Sequence, residues 1–375
     1  MRIGIYTLPL RYNYGGILQA FALQEVLRRK GHEAVTFLPY PYMCLKWQQK
    51  PYVYSKRIIK KLLGIPSCIH LEEKLNSEHY IKMRNLQPFI SNNIKTLSYK
   101  EFCELNSSDF DALIVGSDQV WRPSYNEPYG RTIENAFLDF AKDWHVIKIA
   151  YAASFGTDKW ELTRIQTRRC SELAKRIDAI SVRENTAVHL CEKHLGVESI
   201  HVLDPTLLLS FKDYDSLIAG GQPSYKPKGN LLCYILDENP DAVQLINRIS
   251  DERNLTPFRA NSYVENVMAP IEEQIQPPIE QWLRNFKETD FVITDSFHGS
   301  VFSIIYKKPF IVLGNKNRGN SRFSSLLGLF SLESHYITSV KDYNANISYE
   351  VPENVYNILK IWQEKSLSFL EKALR

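Results

Sequence analysis

Short apolar runs alternating with helical patterns predict an α/β protein of two doubly wound, Rossmann-like domains facing a cleft. Three observations carry that prediction. The apolar runs at 112–115, 179–182, 231–236, 291–294 and 310–313 are continuous, as strands covered on both faces are. Turn residues and an amphipathic pattern follow most of them. Finally, 375 residues are many for one core, and a polar link rich in Gly and Pro at 220–229 divides the chain. The expected domains are 1–215 and 216–375.

Taken in order, residues 2–7 are β-branched and aromatic enough for a first strand. Asn13-Tyr-Gly-Gly then turns into a helix over 17–30 that stops at Gly31. Strand 34–38 completes a βαβ unit. Residues 41–110 are expected to form a mostly helical, basic and aromatic insertion. Strands follow at 112–115, 146–152, 179–182 and 200–203, with a helix over 161–176 and another running to His194. In the second half the expected strands are 231–236, 291–294, 310–313 and a weak one at 335–338. Helices are expected near 240–252, 279–287 and 323–329, and a closing amphipathic helix at about 353–374.

Composition bounds the partners. A net charge of +4 is too small to argue for nucleic acid. No apolar run approaches the ~18 residues of a membrane span, and residues 1–7 read as a strand rather than a leader. The six cysteines are scattered without paired spacing, so reduced thiols and a cytoplasmic location are expected. One local feature stands out. No acid occurs between Glu33 and Glu72, where Lys46, Lys50, Lys56, Arg57, Lys60 and Lys61 are interleaved with Tyr40, Tyr42, Trp47, Tyr52 and Tyr54. That mixture suits peripheral contact with an anionic membrane through residues 40–61, and equally a solvated helical face.

The chemistry is expected at 291–306. Strand 291–294 leads into Asp295 and Ser296, both good N-cap residues, and His298 falls in the first turn of the helix that follows. Gly299 would let a ligand approach the backbone, and the helix N-terminus, with Ser296 and Ser300 beside it, favours an anion. A lone histidine in such a turn packs or caps as often as it reacts. The neighbouring strand 310–313 tips the balance, because Lys316, Arg318 and Arg322 follow it and would share one rim with His298. A small, highly charged anion such as a phosphorylated carboxylate fits that combination. Other strand-end turns lie at the same edge: Asn13 to Gly16, Ser117 and Asp118, Ser154, Arg183, Asp204 and Asp295. Trp121 and Tyr14 are candidates for stacking on a sugar ring.

Six blocks in order carry a resemblance. They are Tyr12 to Gln24 (with Gln19), Gly116 to Trp121, Tyr151 to Gly156, Ser181 to Glu184, Asp204 to Thr206 and Thr294 to Gly299. Together they resemble the polysaccharide pyruvyl transferase family. The resemblance implies a fold like the two-domain type B glycosyltransferases and transfer of a pyruvyl group from phosphoenolpyruvate to two hydroxyls of one sugar. It implies no cofactor beyond that donor, and a saccharide acceptor, whether free or carried on a lipid. The family's catalytic His corresponds to His298, a family Arg to Arg183, and a cation after the His to Arg318; Arg183 and Arg318 would hold the donor's phosphate and carboxylate. Many members carry Arg where this chain has Ser296, so Arg318 or Arg322 is expected to compensate. His298 would then act as general acid, its protonation accompanying donor binding.

Two rivals share the expected fold: a glycosyltransferase using a nucleotide sugar, and a member that binds glycans or anions without turnover. Metal chemistry is a weaker one. Asp213 and Asp215 form too short a pattern to be specific, and among His189, Cys191 and His194 only the last two would share a helical face.

Overall fold

A computed structural model describes all residues except 39–44, 46, 127–131, 265, 267 and 315–319. Two parallel sheets organise it. The first contains β1 (Arg2–Tyr6), β2 (Glu33–Phe37), β3 (Thr96–Leu97), β4 (Ala112–Val115), β5 (Ile147–Ala153), β6 (Ala179–Val182) and β7 (Ile200–His201), in the order β3-β2-β1-β4-β5-β6-β7. The second contains β8 (Leu231–Tyr234), β9 (Pro257–Arg259), β10 (Phe291–Thr294), β11 (Phe310–Leu313) and β12 (Tyr336–Ile337), in the order β12-β11-β10-β8-β9. All pairings are parallel, so the expected architecture of two α/β sheets is the one observed.

The continuous apolar runs are explained by where their side chains go. In β4, Ala112 and Ile114 enter one core cluster while Leu113 and Val115 enter another. In β10, Val292 joins the cluster shared with β4, whereas Phe291 and Ile293 face a separate one. Successive side chains point to opposite faces, and both faces are covered. The shared cluster also holds Ile3, Ile5, Leu232 and Val312, so a single apolar layer runs between the two sheets and joins the domains.

Between β2 and β4 the described residues form the helices Lys50–Leu62, Leu71–Met83, Gln87–Asn93 and Tyr99–Cys103. This stretch also hides a two-residue strand, β3, that extends the first sheet beside β2. Met83, Leu86, Phe89 and Ile90 are buried in the shared core, and the Phe89 ring meets Phe21 edge-on at 5.8 Å. β9 was equally unread, since Pro257 and two half-buried neighbours leave no apolar run. The C-terminal helix, Asn354–Ala373, returns to the first sheet. There the Ser366 hydroxyl accepts a bond from the Leu203 N–H at 3.0 Å, and Gln363 donates to the Leu207 carbonyl at 2.7 Å.

Candidate active site

The carboxyl ends of β1 and β4 from one sheet, and of β8 and β10 from the other, open onto a cavity of about 510 Å³. Its first wall includes Arg11, Asn13, Gly16 and Asp118; its second includes Asp295, Ser296, His298 and Arg322. This edge of a parallel sheet is where ligands gather, because loops there carry free polar groups over a fixed scaffold.

His298 sits in the first turn of the helix Phe297–Ile305, capped by the Ser296 hydroxyl, which accepts from the Gly299 N–H at 3.4 Å. It is 5 % exposed. Its Nε2 lies 3.6 Å from Asp204 Oδ2, a residue of the other domain. Its Nδ1 lies against Gly15: a Cβ built on that glycine would fall 1.9 Å from the ring nitrogen. Only glycine leaves room there for the imidazole. Asn13 caps the helix Tyr14–Arg29, which starts earlier than expected and takes both glycines into its first turn, and its side chain accepts from the Gly16 N–H at 3.2 Å.

Asp204 is the hub. Besides facing His298, it accepts from Arg183 Nη1 at 2.8 Å, the Ser117 hydroxyl at 3.0 Å, and the Thr206 N–H and hydroxyl at 3.0 and 2.6 Å. Burial alone would raise its pKa, but the His298 ring, Arg183 and the Thr206 hydroxyl overcome that and hold it well below the carboxylate range. An ionised Asp204 favours the tautomer with the proton on Nε2, which assigns Nδ1 to whatever His298 acts upon.

Arg183, expected to grip a ligand, lies outside the cavity wall, with its side chain 1 % exposed. It also approaches Asp118 at 3.7 Å and Glu184 at 3.8 Å, donates to the Ser154 hydroxyl at 3.3 Å, and stacks over Phe297 at 4.4 Å. Burial would lower its pKa, yet the three carboxylates raise it. Its charge is therefore used in fixing Asp204 and Glu184, and it acts on the cavity through them. Ser117 and Ser154 belong to the same underlying layer; Ser154 bonds to the Glu184 carboxylate.

Arg322 does line the cavity. Burial, then repulsion from Arg183, pushes its pKa down to about 10, so it is a cation at neutral pH. Arg11 is a second cation on the wall that sequence reasoning missed, although it immediately precedes the Tyr12 block. Arg318 and Lys316 lie outside the described residues.

Other expectations are corrected by burial. Tyr14 is wholly buried, donates to the Pro277 carbonyl at 2.8 Å and stacks on Trp282 at 5.2 Å, so it ties the domains together. Trp121 is also buried, stacked on Phe137 at 4.8 Å, with its N–H on the Ala136 carbonyl. Neither can meet a sugar. The aromatic rings on the cavity wall are instead Tyr12, Tyr125, Tyr234 and Phe297. Gly299 serves packing rather than ligand approach, since a Cβ there would fall 2.2 Å from Thr294 Oγ1. Ser300 is buried and bonds back to the Ser296 carbonyl. Gln19 braces the glycine turn, donating to Thr7 Oγ1 and the Gly16 carbonyl, both at 3.0 Å. Asp295 accepts from the Leu236 and Asp237 N–H groups at 2.7 and 3.0 Å, fixing the turn after β8.

The residues weighed for a metal are dispersed. Asp213 pairs with Arg29, Asp215 with Lys287, and His194 stacks on Trp160 at 4.4 Å. Among the described residues, no group of three or more His, Cys, Asp or Glu side chains is placed to hold an ion.

Comparison with solved structures returns chains of low sequence identity. An MnaA–UDP complex from S. aureus shares 12% identity and a TM-score of 0.45, covering 100% of this chain and 91% of its own. A UDP-GlcNAc 2-epimerase from Methanocaldococcus jannaschii shares 12% and 0.44, covering 97% and 93%. A UGT transferase from Siraitia grosvenorii in complex with UDP shares 9% and 0.43, covering 98% and 94%. No curated protein matches the chain in sequence. The family model for polysaccharide pyruvyl transferase matches residues 13–317, a span that holds the glycine turn, Asp204 and His298, and the chain belongs to that family.

Proposed function

We propose that the chain transfers the pyruvyl group of phosphoenolpyruvate to two hydroxyls of one sugar in a surface polysaccharide or its precursor, giving a pyruvate ketal and inorganic phosphate. The observation that carries this is the imidazole of His298, facing Asp204 at 3.6 Å across the domain boundary, at the wall of a cavity that also bears Arg11 and Arg322.

His298 Nδ1 gives a proton to the methylene carbon of the donor, so the C=C pair forms the new C–H bond and C2 becomes an oxocarbenium-like centre. The first sugar hydroxyl bonds to C2 and its proton passes to the now basic Nδ1. The C2–O bond to phosphate then breaks, phosphate leaves with that electron pair, and the second hydroxyl closes the ketal, releasing one proton. Arg11 and Arg322 hold the donor's phosphate and carboxylate, because guanidinium groups match both anions with paired hydrogen bonds. Arg183 acts a layer below, keeping Asp204 ionised and aimed. The reaction runs in the cytoplasm, where phosphoenolpyruvate is available.

The test is phosphate release and mass gain on a saccharide acceptor, with phosphoenolpyruvate and a UDP-sugar offered separately. Acceptor-dependent phosphate release with the first donor alone is the expected result. Glycosyl transfer from the UDP-sugar would replace this reading with the glycosyltransferase one, and binding of the acceptor without turnover of either donor would make the chain a binding protein.

A further inference from the structure

The helix Lys50–Leu62 has its apolar face turned away from the protein. None of its residues is buried. What ties it down is its polar side: Arg57 grips both Glu72 carboxylate oxygens at 2.6 Å and donates to the Ile69 carbonyl at 2.9 Å, while the Tyr54 ring meets His70 at 5.3 Å. At about 100° per residue, Tyr52, Ile58, Ile59 and Leu62 share an arc of roughly 120° on the opposite side. Their exposures are 70%, 43%, 56% and 81%, and Leu63 beyond the helix end is 70% exposed. Trp47, just before the helix, is 78% exposed.

An amphipathic helix normally turns such a stripe inward. Here burial of four large side chains is forgone, and the surface is bordered by charge of one sign. Exposed Lys56 and Lys60 flank one edge of the stripe and Lys61 the other, with no acid in the helix. The first acid that follows, Glu72, is held by Arg57. A second copy of this chain seated on the same face would set lysine against lysine. An anionic lipid surface satisfies both features at once: the rings and aliphatic groups enter the headgroup region while the lysines meet lipid phosphates.

We propose that the helix Lys50–Leu62 docks the protein on an anionic lipid bilayer, with Tyr52, Ile58, Ile59 and Leu62 in the interface and Lys56, Lys60 and Lys61 on the headgroups. Arg57 is excluded from that set because it anchors the helix to the protein. Among the described residues no helix is long and apolar enough to cross a membrane, so the contact is peripheral.

Vesicle flotation of the whole protein tests this, with phosphatidylcholine alone and phosphatidylcholine mixed with phosphatidylglycerol. The unaltered protein is expected to float with the mixed vesicles only. The pair Ile59→Glu/Leu62→Glu, and separately the triple Lys56→Glu/Lys60→Glu/Lys61→Glu, should each lower the bound fraction by about tenfold or more. These exposed positions can change without loss of fold, checked by the melting temperature. An unaltered protein that stays with the dense fraction overturns the proposal, as does either variant floating as well as the parent. If the apolar pair instead converts a dimer to a monomer on gel filtration without altering flotation, the face belongs to a second copy. Flotation reads no catalysis, so its outcome is separate from that of the pyruvyl transfer assay.

Discussion

The floor of the cavity around His298 and the helix Lys50–Leu62 are built from similar side chains used in opposite ways. Around Asp204, charge is taken wholly out of water, and Arg183, Ser117 and Thr206 close on the carboxylate. Along the helix, cations and aromatic rings remain at the surface, and the ion pair from Arg57 to Glu72 joins it to the body. The difference teaches where sensitivity should lie. A buried charge network tolerates no missing member, because the remaining partner is left uncompensated in a low dielectric. A surface helix loses almost nothing when one of its outward side chains is changed.

The largest expected effect is on rate. His298→Ala should lose roughly 10²–10⁴-fold in turnover, far more than the accompanying loss of stability accounts for. Equal losses of rate and fold would mean that the imidazole is a packing residue, and the contrast between the two regions would shrink to one of burial.

Asp204→Asn comes next and should cost stability as well as rate. It leaves Arg183 buried without its closest counter-charge, at about 3–5 kcal/mol by urea unfolding. The pH dependence gives a second reading. Asp204 is depressed in the folded state, so its contribution is complete above the ordinary carboxylate pKa of ~4 and declines as pH falls below it. Parent and variant should therefore converge in acid. A constant gap down to about pH 2 would show that the network's energy is packing rather than charge.

Gly15→Ala is smaller and sharper. The new methyl would meet His298 Nδ1 at 1.9 Å, so the ring must move. An overpacking cost of about 1–3 kcal/mol is expected, with turnover falling further than the melting temperature alone explains. Unaltered turnover would detach Nδ1 from the chemistry.

Much of this contrast was legible in the residues, though unevenly. The strands that run apolar on both faces declared themselves, because coverage by two cores leaves no polar position to blur the pattern. β3 and β9 did not, being two and three residues long and held by neighbours rather than by their own propensity. His298 was readable from the strand, cap and helix around it. Its partner Asp204 was placed on the same edge but without its function, since proximity across 94 residues and two domains is a property of packing. The strand-end turns lay at one edge as expected, yet Arg183 and Ser154 form the support beneath the cavity rather than its wall. Sequence position fixes the edge of the sheet and says nothing of depth. Tyr14 and Trp121 misled for the same reason: an aromatic ring in a turn can face solvent, or, as both do here, a neighbouring ring.

The smallest effect is predicted for Ile59→Glu alone, on stability. Replacing a large apolar residue by a charge costs several kcal/mol in a core and should here change the unfolding free energy by less than about 0.5 kcal/mol. Ile59 is 56% exposed and on the side of the helix away from Arg57, so the carboxylate enters water without breaking a contact with the body. The same substitution is expected to weaken lipid binding, which separates a side chain kept for an external surface from one kept for the fold. A loss of stability comparable to a core substitution would mean that the apolar stripe is covered by this chain itself, and the helix would then belong with the buried half of the comparison.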